Sequence, residues 1–140
     1  MFSSTEGQKR AALGVLRIGI AIVFIMHGYQ KLFIMGHEGV TGFFTSLHIP
    51  MPAVAAWLVS LLEFGGGIML LIGALVRPIA LMLAIDMLVA INTVHWQNGF
   101  FAGQKPGYEF VGTLMVGAIA LVIGGSGSWS VDDEIRRRRA

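Results

Sequence analysis

Residues 53–76 read AVAAWLVSLLEFGGGIMLLIGALV, a run of apolar and small residues interrupted by one charge, Glu63. A helix needs about 20 such residues to cross a hydrocarbon core of about 30 Å, and this run has that length. Pro50 and Pro52 precede it and Arg77-Pro78 follows it. Proline at or just before a first turn removes no helical hydrogen bond, so each marks a helix start. Three further stretches have the same character: residues 11–33, 78–96 and 108–124, the last the shortest and preceded by Pro106. The expected fold is an all-α integral membrane four-helix bundle, a single domain over residues 1–140. No internal repeat, low-complexity linker or second domain interrupts it.

Composition agrees. Of 140 residues, 55% are hydrophobic and 13% charged, about half the charge of an average soluble domain. A chain this short cannot hide that much apolar surface in one water-soluble core. The absence of cysteine excludes a disulfide framework, thiolate metal ligation and thiol–disulfide catalysis by the chain itself. Nineteen glycines without a collagen period suit close helix packing in lipid. A net charge of +2 gives no reason to expect a nucleic-acid partner. The first apolar run is too long for a signal-peptide core and no Ala-x-Ala pattern follows it, so it is expected to be retained.

Basic residues set the expected orientation. Lys9 and Arg10 precede the first span, Arg77 separates the second from the third, and Arg136 to Arg139 follow the fourth; on the other side stand Lys105 and, at the margin, Lys31. The positive-inside rule then places both termini in the cytoplasm and His37, Glu38, His48 and Lys105 outside. The arginine tail reads as a topology anchor beside anionic lipid, with protein docking as the alternative. Outside, residues 42–49 form a short amphipathic segment, and Trp96, Phe100 and Phe101 an aromatic cluster. Both suit interface anchoring, and the first also suits a lid over a site.

Function is to be sought in groups that are costly in lipid. Arg17 and His27 lie in the first span, Glu63 in the second, Asp86 and His95 in the third, and Glu109 at the start of the fourth. A central charge costs about 2.5–3.5 kcal/mol on insertion scales, so such groups face the bundle interior and find partners. A rise of about 1.5 Å per residue sorts them by depth. Arg17 and Asp86 share an inner level and read as a structural ion pair. His27, Lys31, His95 and Glu109 form an outer level with Glu63 beneath, a set suited to proton relay, to hydrogen bonding a quinone, or simply to holding the helices together. His27, His95, Glu63 and Glu109 also make a weaker candidate metal set, and His27 with His95 a weaker haem pair, since no metal-binding or haem spacing is present. On the second span Glu63 shares a face with Gly66, Gly67, Leu70 and Ala74, a seam that admits another helix closely. Asp86 and His95, nine residues apart, fall on opposite faces of a straight helix, so the third span is buried on both sides, bends or ends before His95, or meets another subunit.

These residues, in this order, resemble the DoxX family of small four-helix membrane proteins. Arg17, His27-Gly28-x-x-Lys31-Leu32 and Ile49-Pro50-x-Pro52 resemble its opening, and Glu63-Phe64-x-Gly66-Gly67 with Leu70, Gly73 and Arg77 its second helix. His95, Gly99-Phe100-Phe101 and Tyr108-Glu109 resemble the third and fourth helices, and Ser130-x-Asp132 the ending. The resemblance runs from about residue 12 to 132. It implies association with membrane oxidoreductase assemblies and recurrent polar positions at Arg17, His27, Lys31, Glu63, His95 and Glu109. The leading expectation is therefore a redox-linked subunit of the cytoplasmic (inner) membrane, in which His27, Lys31, Glu63, His95 and Glu109 form a catalytic site for a quinone or small sulfur compound. A membrane or soluble redox partner, or a second copy, would complete it. The alternatives are a non-catalytic scaffold, docking partner helices through Ala80-x-x-x-Ala84 and Ala120-x-x-x-Gly124, and a metal- or haem-binding or transport protein.

Overall fold

A computed structural model describes residues 5–139, and every regular element among them is helical. Helix α1 (Glu6–Tyr29) starts at a capping box, where the Thr5 hydroxyl accepts from the Gln8 N–H and the Gln8 side chain accepts from the Thr5 N–H. It runs without a break into a π-helical turn, Gln30–Met35. Gly36 then adopts φ +72°, a conformation open to glycine, and redirects the chain into α2 (Gly36–Ser46). The next membrane-length helix is α3 (Pro52–Leu61), a π-turn (Leu62–Gly66) and α4 (Gly67–Ile72) in continuous succession. Helix α5 (Val76–Ala90) likewise passes into a π-turn (Ile91–His95) and one 3₁₀ turn (Trp96–Asn98). Helix α6 (Glu109–Gly124) and the short α7 (Val131–Arg139) complete the chain.

Three stretches are long and apolar enough to cross a membrane: Glu6–Ser46, which includes α2 beyond the Gly36 bend, Pro52–Ile72 and Val76–Asn98. The fourth apolar helix, Glu109–Gly124, is shorter. The second stretch ends four residues before the expected Val76, because Gly73 takes φ +74° and closes α4 in a left-handed C-cap. The outer segment after the first span, expected to hold a short amphipathic stretch over 42–49, contains α2, which starts earlier and packs on α3. Val40 and Phe44 bury themselves there against Ala56, forming a small core of their own.

The main core joins α1, α4, α5 and α6 around Phe24, Leu70, Leu83 and Leu121, all 1% exposed or less. Its outer surface is apolar as well. Val15, Leu58, Ile85, Val116 and Ile123 are among many large exposed hydrophobics, as a lipid-facing bundle requires. The Gly66-Gly67 seam is used as anticipated. A Cβ on Gly67 would stand 2.8 Å from Ile25, and one on Gly28, across the same interface, 2.3 Å from the Phe64 backbone. The small-residue pairs expected to dock a partner are engaged inside the chain. Ala80 and Ala84 are buried, and Gly124 lies against Leu13.

The expected Arg17–Asp86 ion pair does not form. Arg17 is fully buried and directs its guanidinium to five carbonyl oxygens: Leu70 (2.5 Å) and Leu71 (2.6 Å) in the last turn of α4, and Ser126 (2.9 Å), Ser128 (3.1 Å) and Trp129 (2.8 Å) in the segment before α7. A helix C-terminus presents unpaired carbonyls and a partial negative charge, so a cation there needs no carboxylate. The same end is closed by the C-terminal residues. Both Asp132 oxygens accept from the first N–H groups of α5, at Leu75 and Val76 (2.9 Å each), and the Asp132 N–H donates to the Gly73 carbonyl (3.0 Å). Asp133 pairs with Arg10 and, at 3.0 Å, with Arg137. Burial pushes the Asp133 carboxyl up, but its bonds to the two arginines outweigh this and hold it below the ordinary carboxylate range.

Candidate functional site

At the other end of the bundle, each of the three π-turns delivers a polar side chain. Lys31 comes from the first, Glu63 from the second and His95 from the third. Such a turn holds one residue more than the α-helical turn it replaces, and so re-aims the side chains around it. Between Asp86 and His95 the extra residue reduces the angular separation from about 180° to about 80°. The two residues consequently line one cavity and do not face opposite ways.

Lys31 Nζ lies 2.5 Å from Glu63 Oε2, with side-chain exposures of 19% and 5%. Asp86 lines the same cavity as this pair, and its Oδ2 is buried with no hydrogen-bond partner. The cavity wall therefore holds two carboxylates and one ammonium, the ammonium paired with Glu63. His95 Nδ1 is 2.9 Å from the Pro106 carbonyl oxygen, which the Asn98 side chain also contacts at 3.0 Å. An oxygen acceptor requires the proton on Nδ1, so in the neutral ring Nε2 carries a lone pair.

A cavity of about 510 Å³ is bounded by Lys31, Glu63, Asp86 and His95, with apolar walls from Phe43, Phe44, Leu47 and Ile49 of the α2 region and from Val59 and Val89. A smaller cavity of about 260 Å³ is bounded by His27, Phe24, Phe110 and Leu114 and shares Lys31, Glu63 and His95 with the first. His27, half-buried, holds its ring 5.9 Å from that of Phe110. The residues of α2 thus form part of the cavity wall. The helix is tied to α3 by His37, which stacks on Trp57 at a centroid distance of 4.4 Å.

Of the residues expected to form the site, His27, Lys31, Glu63 and His95 are brought together. Glu109 is not. Its carboxylate accepts from the Ala102 N–H at 2.5 Å, and it lines a separate groove with Trp96, Phe100 and Tyr108. Asp86 joins the site in its place. Counted from the observed ends, Glu63 lies nine residues before Ile72 and Asp86 ten after Val76, both about 14–15 Å in. Counting from Val76 as the end of the second span had put Glu63 too deep. Nor does the structure assemble the candidate metal set of His27, His95, Glu63 and Glu109. Among the described residues no group of three or more histidine or acidic side chains is placed to hold a metal ion.

The comparisons with known proteins agree with this architecture. "Inner membrane protein YqjF" of Escherichia coli (strain K12) is 33% identical over 135 residues, covering 94% of this chain and 98% of that protein. "Putative oxidoreductase CatD" of Bacillus subtilis (strain 168) is 30% identical over 118 residues, covering 84% and 82%. "Inner membrane protein YphA" of Escherichia coli (strain K12) is 29% identical over 122 residues, covering 84% and 86%. No solved structure matches the chain. The family model described as DoxX matches residues 12–96, the stretch that carries Arg17, His27, Lys31, Glu63, Asp86 and His95, and the chain is a membrane protein of the DoxX family.

Proposed function

We propose that this protein is a redox-linked subunit of the cytoplasmic membrane, crossing it four times with both termini inside, and that its polar cavity receives a quinone headgroup or a small sulfur compound. The observation that carries this reading is the cavity itself. It is an apolar chamber of about 510 Å³ in which Lys31, Glu63, Asp86 and His95 converge. A largely apolar pocket of this size with a few convergent polar groups is the usual form of a small-molecule site, and ionisable residues within a membrane mark such sites or proton paths. The name given to CatD is that of an oxidoreductase, and the names of YqjF and YphA place them in an inner membrane.

Within this reading His95 and His27 exchange protons with the ligand. Glu63 and Asp86 act as acceptors, and the Lys31 ammonium, paired with Glu63, offsets part of their charge. The chain has no cysteine for electron transfer, so electrons pass to a bound cofactor or a membrane or soluble partner. Native mass spectra of the purified full chain test the proposal. The expected result is a stoichiometric adduct of quinone or sulfur-compound mass that disappears in His95→Phe. A chain carrying only phospholipid in both forms would overturn it.

A further inference from the structure

We propose that the cavity takes its ligand as an uncharged hydroxyl donor, a hydroquinone, in preference to the oxidised quinone or an anionic oxo-sulfur compound. This rests on the reading of the cavity as the redox ligand site. Asp86 Oδ2 is buried and has no donor. The proton of His95 is committed to the Pro106 carbonyl, so the neutral ring offers the cavity only its Nε2 lone pair. The Thr93 hydroxyl donates to the Val89 carbonyl at 2.8 Å and is left as an acceptor. The carbonyl of Pro106 has two donors already, and proline has no N–H to give. Against these stand one charged donor, Lys31, held 2.5 Å from Glu63, and the amide of the exposed Gln30, which brings an acceptor as well as donors. The carboxylates of Glu63 and Asp86 are acceptor-only groups.

Such a chamber is completed by a ligand that supplies protons. A quinone brings two carbonyl acceptors and leaves Asp86 unpaired, whereas a hydroquinone brings two O–H donors on an apolar ring. Buried acceptors discriminate strongly between ligands with and without the matching hydrogen. An anion such as thiosulfate meets two carboxylates and one ammonium that is already paired. The smaller cavity shares Lys31, Glu63 and His95 with the first and brings His27 to the same group of residues.

The test is equilibrium binding, under anaerobic conditions, to the full chain in lipid nanodiscs with empty discs subtracted. The probes are a short-chain benzohydroquinone, its benzoquinone, and thiosulfate. The hydroquinone is expected to bind about tenfold tighter than the quinone, the effect of one additional buried hydrogen bond, and excess thiosulfate is expected not to displace it. Asp86→Asn, which replaces one acceptor with a donor of the same shape, should abolish the preference. His95→Phe serves as a second variant if the first does not fold, and should weaken the hydroquinone more than the quinone. Equal or tighter binding of the quinone overturns this inference and leaves the quinone site standing. Displacement by thiosulfate overturns it in favour of a sulfur ligand. Binding of none of the three overturns both readings.

Discussion

A guanidinium carries five N–H donors in one plane, and Arg17 directs them at five carbonyls from two separate chain segments. The geometry matters as much as the charge, because an ammonium has three donors in no fixed fork. Arg17→Lys keeps the cation and leaves carbonyls of Leu70, Leu71 or residues 126–129 without a donor. Hydrogen bonds to a charged group contribute about 1.5–3 kcal/mol each, so the loss of two places the expected destabilisation at about 3–6 kcal/mol. Thermal unfolding in detergent should show a strongly lowered midpoint for Arg17→Lys. A midpoint equal to wild type would mean that the carbonyls are satisfied without the fork. Glu109 shows the reverse relation between residue and surroundings. It is costly in lipid by the same rule as Glu63, yet its carboxylate is committed to the Ala102 N–H in a loop and takes no part in the cavity.

Helix contacts depend on what a missing side chain permits. Gly28 and Gly19 lie in the same helix, α1, but an added Cβ meets the Phe64 backbone at 2.3 Å in the first case and nothing within 4 Å in the second. Gly28→Ala must push α1 away from the π-turn that holds Glu63, at a cost of about 1–3 kcal/mol for overpacking. Gly19→Ala should leave stability unchanged or slightly raised, since alanine favours helix over glycine. Paired unfolding measurements on the two variants check this, and equal midpoints would contradict the close approach. The elements also divide into those legible in the sequence and those that are not. Long apolar runs with prolines at their starts located the membrane helices, and the Gly66-Gly67 pair marked the seam. The π-turns at 30–35, 62–66 and 91–95 have no counterpart in hydropathy, because one inserted residue changes the phase of a helix without changing its composition. A strict period of 3.6 places His95 opposite Asp86 unless the helix departs from it, and the π-turn at 91–95 is that departure. The left-handed Gly73 ended α4 early, and this misplaced Glu63 relative to Asp86. Depth and cost in lipid place Arg17 in the interior, where it lies, but pairing charges by depth points to Asp86 and overlooks the backbone carbonyls at helix ends that Arg17 binds.

For the whole molecule, the two ends of the bundle differ in chemistry. One end carries Arg10, Arg77, the Arg17 clamp and the tail Arg136 to Arg139, closed by Asp132 and Asp133. The other carries α2, the cavity and the aromatic set of Trp96, Phe100 and Tyr108, in which Trp96 stacks on Tyr108 at 5.4 Å. Positive charge is retained on the cytoplasmic side of a membrane, so the cavity should open toward the outer leaflet and its protons should exchange with the external phase. The chain has no cysteine, and one can therefore be introduced at a time without background. A cysteine at the exposed Glu38 or Lys105 should react with a membrane-impermeant maleimide in intact spheroplasts. One at the exposed Arg138 should react only after lysis. Neither of the first two positions touches the Arg17 clamp or the Lys31–Glu63 pair, so the labelled proteins should retain the wild-type unfolding midpoint. Labelling of Arg138→Cys in intact spheroplasts, with Glu38→Cys protected, would invert the molecule. The cavity would then face the cytoplasm, and its ligand and protons would be drawn from the other side of the membrane.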